Sequence, residues 1–341
     1  MVQFSDTPAL LDGLSEAALI AAEGRVAAAN AAARKLLGGL IEGAALDRVI
    51  SHPAAIEALE RPNRDNGEGV ELTDLGKSRR HWLMRVAPLS DGTALVRFVD
   101  RSEARAAEQM RVDFVANASH ELRKPLATLI GYTETLREHP EDIDRETRER
   151  FLSVVQDEAR RMQRVVEDLI SLSRIEAEKF TAPTEAIPLA PLIDQAVASE
   201  QRSADERGSA LVRNIAPDLP RIAGDGGQIL QLLDNLLSNA LRNGEPGTPV
   251  TVAARAEGPL VRLSIGDCGE GIAPEHIARV TERFYRVDTS RSRSLGGTGL
   301  GLSIVKHIVE RHRGRLSIES ELGKGTTVHV LLPKAADEAV S

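Results

Sequence analysis

Apolar residues return at four- and seven-residue steps through "EARAAEQMRVDFVANASHELRKPLATLIGYTETLREH". Met110, Phe114, Ala118, Leu122, Leu129 and Leu136 thereby fall on one helical face. His139-Pro140 ends this helix, because the residue before a proline is driven out of the helical region. A second stripe, Phe151, Val154, Val155, Met162, Val165, Leu169, Leu172 and Ile175, follows in "RETRERFLSVVQDEARRMQRVVEDLISLSRIEAE". Two long amphipathic helices joined by a short acidic turn predict a helical hairpin over 102–180. The hairpin alone lacks the surface to bury both stripes, and a second copy of the chain supplies it as a four-helix dimer. Upstream, "VELTDL" (70–75), "HWLMRVAPL" (81–89) and "TALVRFVD" (93–100) alternate with period two and predict antiparallel strands, while the Ala-rich "ALIAAEGRVAAANAAARKLLG" (18–38) supplies a helix. Downstream, "LAPLIDQAVASEQRSADER", "GGQILQLLDNLLSNALRNG" and "GTGLGLSIVKHIVERH" read as helices; "TVAARA", "LVRLSIGD", "GRLSIESE" and "TTVHVLLP" read as strands. The division is 1–101, 102–180, 181–335 and a tail, 336–341.

Composition narrows the function. With 43 Lys and Arg against 51 Asp and Glu, the net charge of −8 gives no general attraction for phosphate backbones, so nucleic acid is not the expected partner. One cysteine, Cys268, builds no disulfide framework, and no Cys/His cluster has zinc spacing, which predicts a reducing compartment. No apolar run approaches the roughly 18 residues of a membrane helix. The start "MVQFSDTPALLDGLSEAALI" carries acids where a signal peptide carries bases. A cytoplasmic protein is expected, with attachment to the inner face of a membrane left open.

His120 lies two residues from both Ala118 and Leu122, about 200° from that stripe, and therefore points to solvent. Pro125 cannot donate to the carbonyl of Glu121, so the helix loses a bond beside the histidine. A neutral imidazole is a competent nucleophile toward a phosphoryl group, and the neighbouring carboxylate of Glu121 is a candidate to take the other ring proton, although neighbours at i and i+1 face each other only if the helix is bent. "SHELRKPL" (119–126) resembles the H-box of the sensor histidine kinases of two-component systems. The resemblance implies that His120 is autophosphorylated with Glu121 as base. Lys124 stands where the family has Thr or Asn to place a dephosphorylating water, so the phosphatase activity of the family is not carried over. "FVANASHEL…IGYTETL" is similar to phosphate-regulon sensor kinases.

A phosphoryl donor is needed, and no Walker A pattern exists: "GKGTT" (323–327) has Gly after Lys324. "GGTGLGL" precedes a helix, whose free N–H groups and dipole suit phosphate as well as a tight turn. Asn235 and Asn239 in "DNLLSNALRN" share a helix face at i, i+4, where amide oxygens suit Mg²⁺ bridging phosphates. Asp267 in "GDCGEG" ends a strand, either as an Asx turn or as acceptor for an adenine amino group. "ERFYRVDTSRSRSLGG" (282–297) is a polar loop able to close over nucleotide, with Arg286 near phosphate. In this order the segments resemble the N, G1, F and G2 boxes of the kinase ATP-binding domain, of the fold shared with gyrase-type and chaperone-type ATPases. The resemblance implies ATP and Mg²⁺ as cofactors, Asn239 as main Mg²⁺ ligand with Asn235 supporting, and Asp267 reading adenine. It implies a pocket shaped by Gly269, Gly271, Gly297, Thr298, Gly299, Leu300 and Gly301. Arg242 replaces the usual Lys and Asn243 the usual aromatic or His, which predicts a lost stacking contact and weaker nucleotide affinity.

The first hundred residues resemble a PAS sensor domain, with Asn30 where many such domains begin their first helix. No cysteine there can form a flavin adduct, and His52 and His81 read as surface histidines. The expected architecture is multidomain α+β: a PAS-like α/β sensor domain, an antiparallel helical hairpin in a dimeric four-helix bundle, and an α/β sandwich ATP-binding domain of the GHKL type. The resemblance implies a homodimer that passes its phosphoryl group to the receiver domain of a response regulator. The rival readings are a scaffold that binds a regulator but transfers nothing, against which the intact His120, Asn239 and Asp267 argue, and an ATP-hydrolysing machine of the gyrase or chaperone class, which would not need His120.

Overall fold

The computed structural model describes residues 7–60, 69–73, 75, 80–89, 92–138, 143–178, 180–287 and 297–335. The chain divides into two compact units, Met1–Asp113 and Phe114–Ser341.

In the first unit, α1 (Thr7–Asp12), β1 (Ala17–Ala22), β2 (Arg25–Ala29), α2 (Ala31–Leu37), α3 (Leu46–Val49) and α4 (Pro53–Glu60) precede β3 (Val70–Thr73), β4 (His81–Pro88) and β5 (Ala94–Asp100). The strands form one antiparallel sheet in the order β2-β1-β5-β4-β3. The Ala-rich stretch departs from the single helix expected of it. Residues 17–29 are a β-hairpin, and helix is confined to Ala31–Leu37. The break is at Glu23 (φ 51°) and Gly24 (φ 72°), two successive left-handed residues that match a hairpin turn to the twist of its strands. Small side chains let β1 be buried along most of its length, which overrides the helix propensity of alanine. Asn30 ties the unit together. It is 1% exposed; its Oδ1 accepts from the amides of Ala33, as N-cap of α2, and Ala18, while its Nδ2 donates to the carbonyls of Leu11, Leu14 and Glu16. His81 is exposed and His52 half-buried.

Helix α5 (Ser102–Glu138) runs across the boundary between the units, and α6 (Arg145–Ala177) follows. The expected His139-Pro140 stop and part of the acidic turn lie outside the described residues. Asp144 caps α6 by accepting from the Thr147 amide at 2.7 Å. Then come β6 (Ala186–Ile187), α7 (Leu189–Glu206), β7 (Leu211–Ile215), β8 (Ile222–Ala223), α8 (Gly226–Asn243), β9 (Val250–Glu257), β10 (Leu260–Asp267), α9 (Pro274–Ile277), α10 (Gly301–Arg311), β11 (Arg315–Glu321) and β12 (Gly325–Pro333). The sheet order is β11-β12-β10-β9-β7, with β7 parallel to β9 and the other pairs antiparallel; β6 and β8 pair separately.

Alternation in β10 buries Val261, Leu263 and Ile265 against the helices and turns Arg262 and Ser264 the other way. Helix α8 contributes Ile229, Leu232, Leu233, Leu236, Leu237, Ala240 and Leu241 to this core, each worth about 1.5–3 kcal/mol on burial for the larger side chains. Because that face is committed to the core, Asn235, Asn239 and Arg242 are left half-buried on its border. Leu172 and Ile175 at the end of α6 belong to the same core, so the hairpin is continuous with the sandwich.

Candidate active site

His120 is exposed on α5 and, among the described residues, makes no hydrogen bond or ion pair; Ala118 and Leu122 are half-buried and Pro125 is buried. Glu121 is turned toward the second helix. Its Oε2 receives Arg161 of α6 at 3.3 Å and its Oε1 receives Lys124 at 3.3 Å. The adjacent pair therefore diverges, as neighbours on a helix do. One member faces solvent and the other sits in a two-cation clamp that the sequence did not announce.

The remaining candidates converge on α8, which acts as the hub of the second cluster. Near its middle, Asn235 donates Nδ2 to the Gln231 carbonyl at 2.9 Å. This aims Oδ1 at the start of α10, where a side-chain carbon on Gly301 would lie 2.8 Å from it. One turn on, Asn239 Oδ1 accepts from Asn243 Nδ2 at 2.8 Å, and the same Nδ2 donates to the Asn239 carbonyl at 2.9 Å. Asn243, expected only as a lost stacking partner, thus fixes which way the Asn239 amide faces. An amide oxygen has two lone pairs, and this arrangement uses one. Arg242 lies against Gly297. Burial, together with the charges of Arg164 and Arg286, lowers its pKa below the usual guanidinium range, against the pull of Glu200 and Asp168. Three guanidinium groups near one another make a locus for polyphosphate.

At the C-terminal end of α8, Gly244 bridges to Gly269 and so brings the β10 turn alongside. Asp267 Oδ1 accepts from the Gly269 amide at 2.9 Å, the Asx turn foreseen as one reading of this aspartate. The carboxylate has lone pairs left for a further donor such as an exocyclic amine. Burial raises the Asp267 pKa, and the amides of Gly269 and Thr326 offset part of that rise. Gly269 is pressed so close that a Cβ would lie 2.2 Å from the Asn243 carbonyl oxygen; Gly271, at φ 73°, would place one 2.2 Å from that of Glu321. Only glycine fits either position.

The loop entering α10 completes the cluster. The Phe284 amide donates to the Gly299 carbonyl at 2.8 Å, which seats the loop beside the half-buried Arg286 segment. Thr298 Oγ1 accepts from the amide of the buried Leu300 at 3.2 Å and donates to Asp168 Oδ2 on α6 at 2.8 Å. Burial raises the Asp168 pKa despite that bond. Other contacts fasten the hairpin here: Ser171 to Gln231 at 2.8 Å, Arg283 to Glu176, and Phe114 against Phe284 with ring centroids 5.9 Å apart. Their partners are far apart in sequence, and none was visible in a local motif. Residues 288–296 of the polar loop lie outside the described residues. Among the described residues no group of three or more His, Cys, Asp or Glu side chains could hold a metal ion; amide oxygens together with the phosphates of a nucleotide would make a hard-oxygen donor set of the kind Mg²⁺ takes. The side-chain oxygens of Asn235 and Asn239 fit it.

Residues 110–178 match the family His Kinase A (phospho-acceptor) domain, and residues 224–336 match Histidine kinase-, DNA gyrase B-, and HSP90-like ATPase. Sensor protein SrrB of Staphylococcus aureus (strain N315) is 36% identical over 276 residues, 78% of this chain and 46% of that protein. The chain therefore spans about half the length of the curated relatives it matches. Acinetobacter baumannii histidine kinase AdeS aligns with a TM-score of 0.51 and 21% identity over 64% of this chain and 98% of its own. Histidine kinase ThkA, solved in complex with response regulator protein TrrA, aligns with a TM-score of 0.55 and 19% identity over 96% of this chain and 98% of its own. These two structures share the fold. The chain thus matches a histidine kinase phosphoacceptor domain followed by an ATPase domain of the histidine kinase, gyrase B and HSP90 type.

Proposed function

We propose that the chain is a homodimeric, cytoplasmic histidine kinase that phosphorylates His120 from Mg-ATP and passes the phosphoryl group to an aspartate of a response regulator receiver domain. The observation that carries this reading is an exposed, unengaged imidazole on the hairpin, fastened within one compact unit to a lobe where Asn235, Asn239, Arg242, Asp267 and the glycine loops meet. Asp267 takes the adenine amino group on its carboxylate, and Arg242 and Arg286 face the phosphates. Asn239, oriented by Asn243, holds Mg²⁺ with Asn235 beside it. When bound there, Mg²⁺ would supply charge neutralisation to the nucleotide's phosphates. The α10 N-terminus, entered through Gly297, Thr298, Gly299 and Leu300, offers free amides to the same phosphates. Most of the catalysis is then positioning and charge neutralisation. Lys124 in place of Thr or Asn argues for a kinase without strong phosphatase activity.

The five-stranded antiparallel sheet, with the Asn30-capped helix after its second strand, supports a PAS-like role for the N-terminal unit. The sequence around His120 supports an input from phosphate starvation. ATP and receiver domains are both found in the cytoplasm; among the described residues no helix is long and apolar enough to cross a membrane. The reading is tested by incubating the protein with γ-labelled Mg-ATP. An acid-labile, base-stable label on wild type, absent from His120→Ala, is expected. An unlabelled wild type, or equal labelling of both, overturns it.

A further inference from the structure

Lys124 follows His120 by four residues on α5, so their Cβ atoms are about 5–6 Å apart. Helical side chains lean toward the N-terminus, which aims the Lys124 ammonium at the turn carrying His120. It already reaches back to Glu121, with Nζ 3.3 Å from Oε1. The two cations on Glu121 are unequal: the Arg161 side chain is 13% exposed, whereas that of Lys124 is 61% exposed. Lys124 can therefore leave at little cost while Arg161 keeps the carboxylate neutralised and in place.

We propose that Lys124 is the counter-cation of the phosphohistidine, exchanging Glu121 for the phosphoryl group as that group arrives on His120. This rests on the kinase reading above and adds a residue to it. In the transfer, a bond forms between one ring nitrogen of neutral His120 and the γ-phosphorus. The bond from that phosphorus to the β–γ bridging oxygen breaks, and ADP leaves with the electron pair. The proton on the other ring nitrogen is released to solvent, since Glu121 is turned toward α6 and held by Arg161. The product is a dianionic group on an exposed ring, one turn from an ammonium that is free to swing.

The test is the position of the equilibrium between ATP plus His120 and ADP plus phosphohistidine, read as labelled fraction against added ADP in wild type, Lys124→Met and Lys124→Arg. Lys124→Met is expected to lower the equilibrium constant about 3- to 10-fold, and Lys124→Arg to stay within about twofold of wild type. The Met effect should shrink in about 1 M salt, where the Debye length is near 3 Å. A merely structural role would give neither the Arg rescue nor the salt dependence, and matching thermal unfolding of the three proteins checks the fold of this exposed position. Equal equilibrium constants in wild type and Lys124→Met, with both proteins labelled, overturn the proposal. An unlabelled wild type instead removes the kinase reading itself.

Discussion

Asn239 and Asn243 show how a single amide can change meaning between sequence and structure. The i, i+4 spacing of Asn235 and Asn239 is legible in the chain because a helix face is a local property. That Asn243 would donate to the Asn239 oxygen is not, since an amide's orientation depends on which neighbour donates to it. Asn243→Ala removes that donor, and ATP affinity measured by calorimetry should fall about 3- to 10-fold with stability unchanged, the worth of one neutral hydrogen bond. Asp267→Ala removes an ionic acceptor and should cost about 10- to 100-fold in ATP affinity while leaving GTP binding almost as weak as before. In the first unit Asn30 was legible as a helix start, but its bonds to Leu11, Leu14 and Glu16 reach 14 to 19 residues back. Asn30→Ala strands several buried groups there. The unit should lose about 2–4 kcal/mol in urea unfolding.

Elements of the ATPase lobe could be read nearly end to end, because each strand of its sheet from β9 onward alternates and each long helix carries a continuous apolar stripe. The exceptions have physical reasons. Strand β7 sits at the sheet edge, where "LVRNI" shows little alternation, and the β1–β2 hairpin hides in alanines whose burial, not their propensity, decides their state. Helix ends hold a further dependence that spacing cannot reveal. His312, 2% exposed at the C-cap of α10, donates Nδ1–H to the Ile308 carbonyl at 2.8 Å, and its Nε2 accepts from the Asp225 amide at the N-cap of α8 at 3.0 Å. The bond accepted at Nε2 requires the neutral ring, and burial lowers its pKa below the usual imidazole value, against the Ile308 bond, which favours the charged form. A depressed pKa in the folded state means that this stability is present above the unfolded value near 6.5 and is lost as pH falls from there toward the folded value. Lobe stability in urea should therefore decline as pH drops below about 6.5, and His312→Gln should flatten the decline while lowering stability at neutral pH. A wild-type profile that is flat over this range would contradict the assignment of the tautomer.

For the molecule as a whole, the deciding surface is the one the single chain leaves uncovered. Leu126 and Ile130 on α5, with Val166 and Ile170 on α6, are between 41% and 56% exposed and recur at i, i+4. On α6, Val166 and Ile170 lie more than about 100° around the helix from Leu172 and Ile175, which face the lobe core. A hairpin whose outer turns carry paired apolar residues at helical spacing fits a second copy of itself, since a twofold axis sets the same face against itself in an isologous contact. Burial of each such side chain is worth about 1.5–3 kcal/mol, and the pair Leu126→Glu, Ile130→Glu changes four sites in a dimer. The dissociation constant measured by sedimentation should then rise more than about a thousandfold. Because His120 lies six residues from Leu126 on the same helix, labelling of the monomeric variant distinguishes two arrangements. Full labelling at high dilution means that each lobe serves the histidine of its own chain. Labelling that returns only when a dimer-competent partner lacking His120 but retaining its ATP site is added, at concentrations that restore association, means that the lobe serves its neighbour's.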